Sequence, residues 1–100
     1  MRLRWSEQAR QDLLDIGRYI ARDNRVAARR WVERLRERAR AAAEAPRSGR
    51  MVPEIGREDL REVLMGNYRI VYTVGKAEIR IMTLFEGHRQ LPEGVEEEEG

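Results

Sequence analysis

The fold is decided by one stretch of the chain, which reads LREVLMGNYRIVYTVGKAEIRIMTLFE at residues 60–86. It contains three short runs rich in Val, Ile and Tyr, which are typical of β-strands. The pair Gly66-Asn67 separates the first two runs, and a polar segment beginning at Gly75 separates the last two. The three predicted strands, joined as an antiparallel meander, are residues 60–65, 68–74 and 79–85.

The register of the last two strands determines which side chains share a face. If Val74 lies opposite Ile79, one face is apolar and is the face that helices would cover. Its residues would be Tyr68, Ile70, Tyr72, Val74, Ile79, Ile81, Thr83 and Phe85. The second face would be mixed, with Arg69 opposite Leu84, and would carry Leu60, Glu62, Leu64, Arg69, Val71, Arg80, Met82 and Leu84. Exposed apolar residues framed by charges favour a docking surface over an ordinary solvated face.

The residues before this stretch predict a strand and two helices. Arg2 to Trp5 is a short strand, and Ser6 is a suitable N-cap for the first helix. Apolar residues recur with helical spacing from Ala9 to Ile20, and again from Ala28 to Ala42, with a short polar turn between the two helices. The order is β-α-α-β-β-β, an α+β fold in which an N-terminal strand and an antiparallel helical hairpin pack on one face of a small antiparallel sheet.

A single domain is expected over residues 1–92, followed by an acidic tail at residues 93–100. Five of these last eight residues are Glu. A segment this acidic, with Val95 as its apolar residue, is expected to bury nothing and to be disordered. Residues 46–59 contain two prolines and two glycines and predict a structured loop.

The body of the chain is basic, although the net charge of the whole is only +2. Lys76 is the single lysine among the 20 basic residues, and the rest are arginines, which suit planar contacts with phosphate and carboxylate. Arg30, Arg34 and Arg38 form a stripe at helical spacing, beside Glu33 and Glu37. The favoured interpretation is that these arginines lie on an ordinary solvent-exposed face of the helix, and the alternative is that they bind a partner.

Several functional classes are disfavoured by what the sequence lacks. The chain has no cysteine, so it has neither disulfides nor thiolate metal sites. It has no apolar run near the roughly 20 residues of a membrane span, no signal peptide, and no Gly-rich phosphate loop or metal-ligand spacing. We therefore expect a cytoplasmic protein that uses no metal, cofactor, membrane or small-molecule substrate and works by binding a macromolecule.

Several short motifs occur in an order that resembles a known family. They are Asp12-Leu13, Ile16 with Tyr19-Ile20, Pro53-Glu54, Leu60-Arg61-Glu62-Val63, Tyr68-Arg69-Ile70-Val71-Tyr72 and Gly87-His88-Arg89. Over residues 2–92 the chain resembles the RelE/ParE superfamily of toxins from bacterial type II toxin–antitoxin systems, also called plasmid stabilisation proteins. The resemblance implies a toxin that arrests growth and is neutralised by a cognate antitoxin protein.

Two activities occur in that superfamily. ParE-like members bind and poison DNA gyrase without chemistry of their own, whereas RelE-like members are mRNA interferases that cut mRNA on the ribosome. The lysines of the RelE branch before the Tyr-Arg pair are missing here, and the first helix is long, so the resemblance is nearer to ParE. One departure from ParE is His88, where that branch commonly has arginine. The predicted function is a ParE-like gyrase inhibitor; the alternative is a RelE-like endoribonuclease using metal-free acid/base chemistry.

Each function implies its own set of residues. The residues implied for target binding are Arg61, Arg69, Arg80 and Arg89. For the nuclease alternative the candidates, which would move protons or neutralise phosphate, are Glu62, Arg69, His88 and Arg89. The residues expected to contact the antitoxin are Leu60, Leu64, Val71, Met82 and Leu84. Arg69 is expected to be exposed, so that an ion pair with Glu62 contributes only about 0 to 1 kcal/mol.

Overall fold

Two helices and five strands make up the part of the chain that the structure, a computed structural model, describes: residues 1–87, 91–92 and 94–95. The elements are β1 (Arg2–Trp5), α1 (Glu7–Ala21), α2 (Arg25–Glu44), a 3₁₀ turn (Pro46–Ser48), β2 (Arg50–Met51), β3 (Leu60–Met65), β4 (Tyr68–Val74) and β5 (Glu78–Glu86). The predicted α+β class and the order of its main elements are confirmed. Within the described residues no helix is long and apolar enough to cross a bilayer.

N-cap side chains determine where both helices begin. The Ser6 hydroxyl accepts a hydrogen bond from the backbone N–H of Ala9 at 3.0 Å, and the Asn24 side chain accepts one from Ala27 at 2.9 Å. Ser6 is completely buried, and its hydroxyl also donates to the carbonyl of Met82 at 2.8 Å. The residue that begins α1 therefore also attaches it to β5.

The five strands form one mixed sheet in the order β1-β5-β4-β3-β2. β3, β4 and β5 pair antiparallel, as predicted. β1 instead runs parallel to β5, with Leu3 opposite Ile79, so the expectation of a wholly antiparallel sheet is wrong. Parallel pairing needs a long crossover, which the helices and the intervening strands provide. The expected loop at 46–59 also contains β2, a two-residue strand that pairs with β3.

The register is as predicted at one end of the last hairpin and shifted at the other. Val74 lies opposite Ile79, but a bulge interrupts the pairing between Val71 and Tyr72. A bulge adds one residue to one strand and changes which face the following side chains occupy. The predicted faces are therefore wrong for the second half of β5.

Two residues show the effect of the bulge. Leu84, expected on the mixed face, is 2% exposed and packs into the core beneath the helices. Phe85, expected under the helices, packs against the other face of the sheet. Arg69 consequently lies opposite Phe85 and not opposite Leu84.

Asp12 on α1 binds the strand just beyond the bulge. Its Oδ2 accepts hydrogen bonds from the Thr83 hydroxyl at 2.6 Å and from the Leu84 N–H at 3.0 Å. A carboxylate that accepts two such bonds positions the helix and the irregular strand relative to each other.

Apolar clusters lie on both faces of the sheet. The larger lies beneath the helices and contains Ala9, Leu13, Leu35, Ala39, Ala42, Ala43, Val63, Ile70, Tyr72, Ile79, Ile81 and Leu84. The smaller, on the second face, contains Val52, Leu60 and Val71, with Ile55, Phe85 and Leu91 against it. The segment after β2 thus covers a face that was expected to be open.

Val95 is buried at 3% exposure, so the expectation that the C-terminal segment buries no apolar group is wrong at this position. The rest of the predicted tail, residue 93 and residues 96–100, lies outside the described residues. Residues 88–90 do so as well.

We predict that Asp12→Ala lowers the free energy of unfolding by about 1–3 kcal/mol, because the Thr83 hydroxyl and the Leu84 N–H lose their acceptor. Urea denaturation measures the change. Asp15→Ala is the matched control, since Asp15 lies on the same helix and accepts only from the exposed Gln11 side chain; its effect should be within about 0.5 kcal/mol. Equal effects of the two substitutions would show that Asp12 does not bind the bulge.

Candidate functional site

Glu62 and Arg69, two charged residues predicted for the mixed face, form the buried centre of an ion-pair network. Glu62 is 1% exposed and Arg69 is 6% exposed. The Arg69 Nε donates to Glu62 Oε1 at 2.8 Å, and its two terminal nitrogens each donate to the Glu54 carboxylate at 2.8 Å. The Arg50 Nε donates to the other oxygen of Glu62. We call Arg50, Glu54, Glu62 and Arg69 the buried network.

The contact between Glu54 and Arg69 favours the charged form of both side chains. The hydrogen bond from Arg69 is the main reason why the pKa of Glu54 falls from 4.5 to about 2. The same contact raises the pKa of Arg69 above its usual range. The Arg69 guanidinium also lies 4.9 Å from the centre of the Phe85 ring, a cation–π contact. Two arginines and two glutamates neutralise one another, so the network adds no net charge to the surface.

The expectation that Arg69 is exposed and free to bind a target is wrong. All three of its guanidinium nitrogens donate to carboxylates. Its strand, β4, is central in the sheet, and residues 52–55 cover that face. Binding a phosphate through Arg69 would require breaking the buried network, which leaves the buried Glu62 charge with Arg50 but without Arg69.

The nuclease candidates are not assembled into a reactive site in the described residues. Both Glu62 oxygens accept from arginines, so Glu62 has neither the exposure nor a free oxygen to take a proton from RNA. His88 and Arg89 lie outside the described residues. Within the described part of the chain no cluster of His, Asp or Glu could hold a metal ion.

Arg61 and Arg80, predicted to bind the target together, lie on opposite faces of the sheet. Arg61 is opposite Tyr72, whose side chain points toward the helices, whereas Arg80 is opposite Thr73. Arg61 donates to the carbonyls of Glu58 and Gly49 at 2.8 and 3.1 Å. The structure therefore does not bring Arg61 and Arg80 into one site.

The apolar row predicted to contact an antitoxin is also not an open surface. Its buried members, all at or below 2% exposure, are Leu60, Val71, Met82 and Leu84. Leu64 is the exception, at 52%. The segment after β2 packs on Leu60 and Val71, and the bulge turns Leu84 into the core beneath the helices. Sequence periodicity reveals neither effect, so the row is not an open docking surface.

An open apolar surface lies instead between α1 and α2, beside β1. This groove has a volume of about 740 Å³. Its floor is lined by Leu3, Trp5, Leu13, Leu14, Gly17, Ala21, Ala28 and Val32. Its rim consists of one acid and five arginines: Glu33, Arg10, Arg18, Arg29, Arg36 and Arg40. We call this surface the hairpin groove.

The rim of the hairpin groove is only partly neutralised. Arg10 pairs with Glu7 at 3.8 Å and Arg36 pairs with Glu33 at 3.9 Å, both at the surface. Arg18, Arg29 and Arg40 form no ion pair with the described part of the chain. Sequence patterns did not single out these rim arginines, although the spacing of Arg29, Arg36 and Arg40 places them on one flank of α2.

Comparison with known proteins identifies the class of protein. A family model described as the ParE toxin of the type II toxin–antitoxin system parDE matches residues 3–91. The chain therefore belongs to the ParE toxin family, and the predicted branch of the superfamily is confirmed.

Two individual proteins are similar to this chain. It is 36% identical over 95 residues to "Putative toxin Y4kP" of Sinorhizobium fredii, covering 92% of this chain and 94% of that one. A solved structure described as the chromosomal ParDE TA system from P. aeruginosa superposes with a TM-score of 0.71 at 20% identity. It covers 86% of this chain and 95% of the other, and this likeness shows the shared fold alone.

We predict that Arg69→Ala lowers the free energy of unfolding by about 3–5 kcal/mol, since it leaves the buried Glu62 with Arg50 as its sole partner. The double variant Glu62→Gln, Arg69→Met should cost clearly less than the sum of its single changes, because no buried charge then lacks a partner. Urea denaturation of Arg69→Ala and of the four proteins of this cycle (the parent, Glu62→Gln, Arg69→Met and the double variant) measures both effects. A cost of about 1 kcal/mol or less for Arg69→Ala would contradict the buried network.

Proposed function

We propose that this ParE-family chain is the toxin of a two-protein pair and that an antitoxin holds it inactive through the hairpin groove. The observation that carries the proposal is the combination of an apolar floor with an arginine rim. An amphipathic helix places apolar side chains along one stripe and can carry acidic side chains beside it. Such a helix lying in the groove would cover the floor and neutralise the rim.

The charge of the rim supports an acidic partner. Five arginines and one glutamate give the rim a net charge of +4. Rim charges steer association and select the partner, whereas burial of the apolar floor supplies most of the affinity. Leu14, which is 53% exposed in the chain alone, would be among the residues covered.

For the cellular target we propose DNA gyrase, which the toxin would inhibit by binding. Membership of the ParE family supports this target over the ribosome. The position of Glu62 in the buried network supports it further, because the RelE-like alternative needs a group that can accept a proton from RNA.

Inducing the chain in cells without its antitoxin tests the target. We expect growth arrest with the DNA-damage response switched on and translation intact, and we expect the purified chain to stabilise cleaved DNA in a reaction with purified gyrase. Co-expression of the antitoxin should prevent the arrest. Arrest of translation with cleaved mRNA, and no effect on gyrase, would favour the ribonuclease instead.

A charge-removing variant tests the groove. The groove triple variant, Arg29→Gln, Arg36→Gln, Arg40→Gln, should weaken antitoxin binding about tenfold or more in calorimetry, because each lost rim contact contributes up to about 1 kcal/mol. The matched control is the stripe triple variant, Arg30→Gln, Arg34→Gln, Arg38→Gln, which removes the same charge from the other flank of α2. An equal loss in both variants would mean that the antitoxin does not recognise the groove.

A further inference from the structure

The second flank of α2 carries an arginine stripe that the hairpin groove does not use. Arg30, Arg34 and Arg38 recur every fourth residue, so each lies about 6 Å along the helix axis from the next. Arg30 and Arg34 are exposed, and Arg38 is half-buried. None of the three lines the hairpin groove, whose arginines from α2 are Arg29, Arg36 and Arg40.

The stripe has no acidic partner within the described part of the chain. No ion pair within residues 1–87, 91–92 and 94–95 includes Arg30, Arg34 or Arg38. Glu33, one of the two acids that the sequence placed beside the stripe, pairs with Arg36 on the other flank. Like charges at this spacing destabilise a helix slightly. Three like charges that destabilise the helix and have no acidic partner within the described fold point to an external anion.

Arg61 on β3 extends the stripe beyond the helix. Arg61 lies opposite Tyr72 in the sheet. Burial raises the pKa of the Tyr72 hydroxyl, while the positive charges of Arg61 and Arg38 act in the opposite direction, which is consistent with both cations lying on this side of the sheet. Arg61 donates to backbone carbonyls, which leave its charge unneutralised. Arg61 was predicted to bind the target with Arg69 and Arg80, and the structure places it opposite Tyr72, on the face of the sheet that the helices cover.

An aromatic pair lies beside the middle of the stripe. The Arg34 guanidinium lies 5.9 Å from the centre of the Trp31 ring, and Trp31 in turn packs edge-on against Tyr68 at 5.7 Å. A guanidinium held over an aromatic ring has fewer conformations to lose when it binds. The contact with Trp31 therefore partly orders Arg34 before it binds an anion.

We propose that Arg30, Arg34, Arg38 and Arg61 form a track that binds the phosphate backbone of duplex DNA. Arginine binds phosphate through paired hydrogen bonds, and contacts with the backbone carry no sequence preference. The choice of duplex DNA rests on the proposed function, because gyrase holds a DNA duplex. A toxin bound to gyrase through other residues would then contact the enzyme's DNA with this flank of α2.

The test is binding of the purified full-length chain to a short fluorescent DNA duplex, followed by anisotropy at several salt concentrations. Four phosphate contacts predict a log–log salt slope of about −3.6, so affinity should fall about 150-fold between about 50 and 200 mM salt. The stripe triple variant keeps only Arg61 and should show a slope of about −0.9 and a fall of about fourfold. The groove triple variant has the same net charge and should keep the parental slope.

Three results would overturn the proposal. The first is that the parent chain does not bind DNA at about 50 mM salt. The second is that the two triple variants lose equal affinity for the duplex. The third is that the parent binds single-stranded RNA or polyglutamate more tightly than the duplex. Circular dichroism checks that both variants are folded. The DNA-binding stripe and the gyrase target can be tested separately. A chain that binds DNA through the stripe but leaves gyrase unaffected would contradict the gyrase target alone.

Discussion

The Glu62 carboxylate is the constraint on which the second face of the sheet depends. A charge at 1% exposure must be neutralised by the protein itself, and here Arg50 and Arg69 do so from either side. Arg50 lies in β2, and Arg69 in turn binds Glu54, so two ends of one surface segment are fixed to the centre of the sheet. With that segment in place, Leu60 and Val71 are covered, and the open surfaces described above lie on the helices.

The helix α2 consequently carries the recognition surfaces that we propose. Its inward residues, Leu35 and three of its alanines among them, fill the core, while arginines occupy two flanks that face in different directions. Small core residues let the helix lie close to the sheet, and the long arginine side chains extend outward from it. Our proposals assign an acidic protein to one flank and nucleic acid to the other. Because the flanks share no residue, the two partners need not compete for the same side chains.

Sequence patterns predicted the elements of the fold, since helices α1 and α2 and strands β3 to β5 each have local signals of caps, turns and periodicity. They did not predict the bulge in β5, because Ile81, Met82, Leu84 and Phe85 suit a buried face in either register. The parallel position of β1 depends on pairing across most of the chain, and no local pattern records it. Sequence patterns did not predict the buried network for a related reason. Arginine and glutamate are usually exposed, and Glu62 and Arg69 are buried because residues 50–54 pack over β4.

The pairing of β1 with β5 has a consequence for how the protein is made. The Ser6 hydroxyl that begins α1 bonds to Met82, 76 positions later, and Leu3 pairs with Ile79 across a similar separation. Contacts between such distant positions form late, because the intervening chain must be ordered before these contacts can stabilise the fold. On the ribosome the first strand has no neighbour until the last one has emerged. A nascent chain interrupted before β5 lacks the strand that lies between β1 and β4, so synthesis itself delays the moment at which a complete toxin exists.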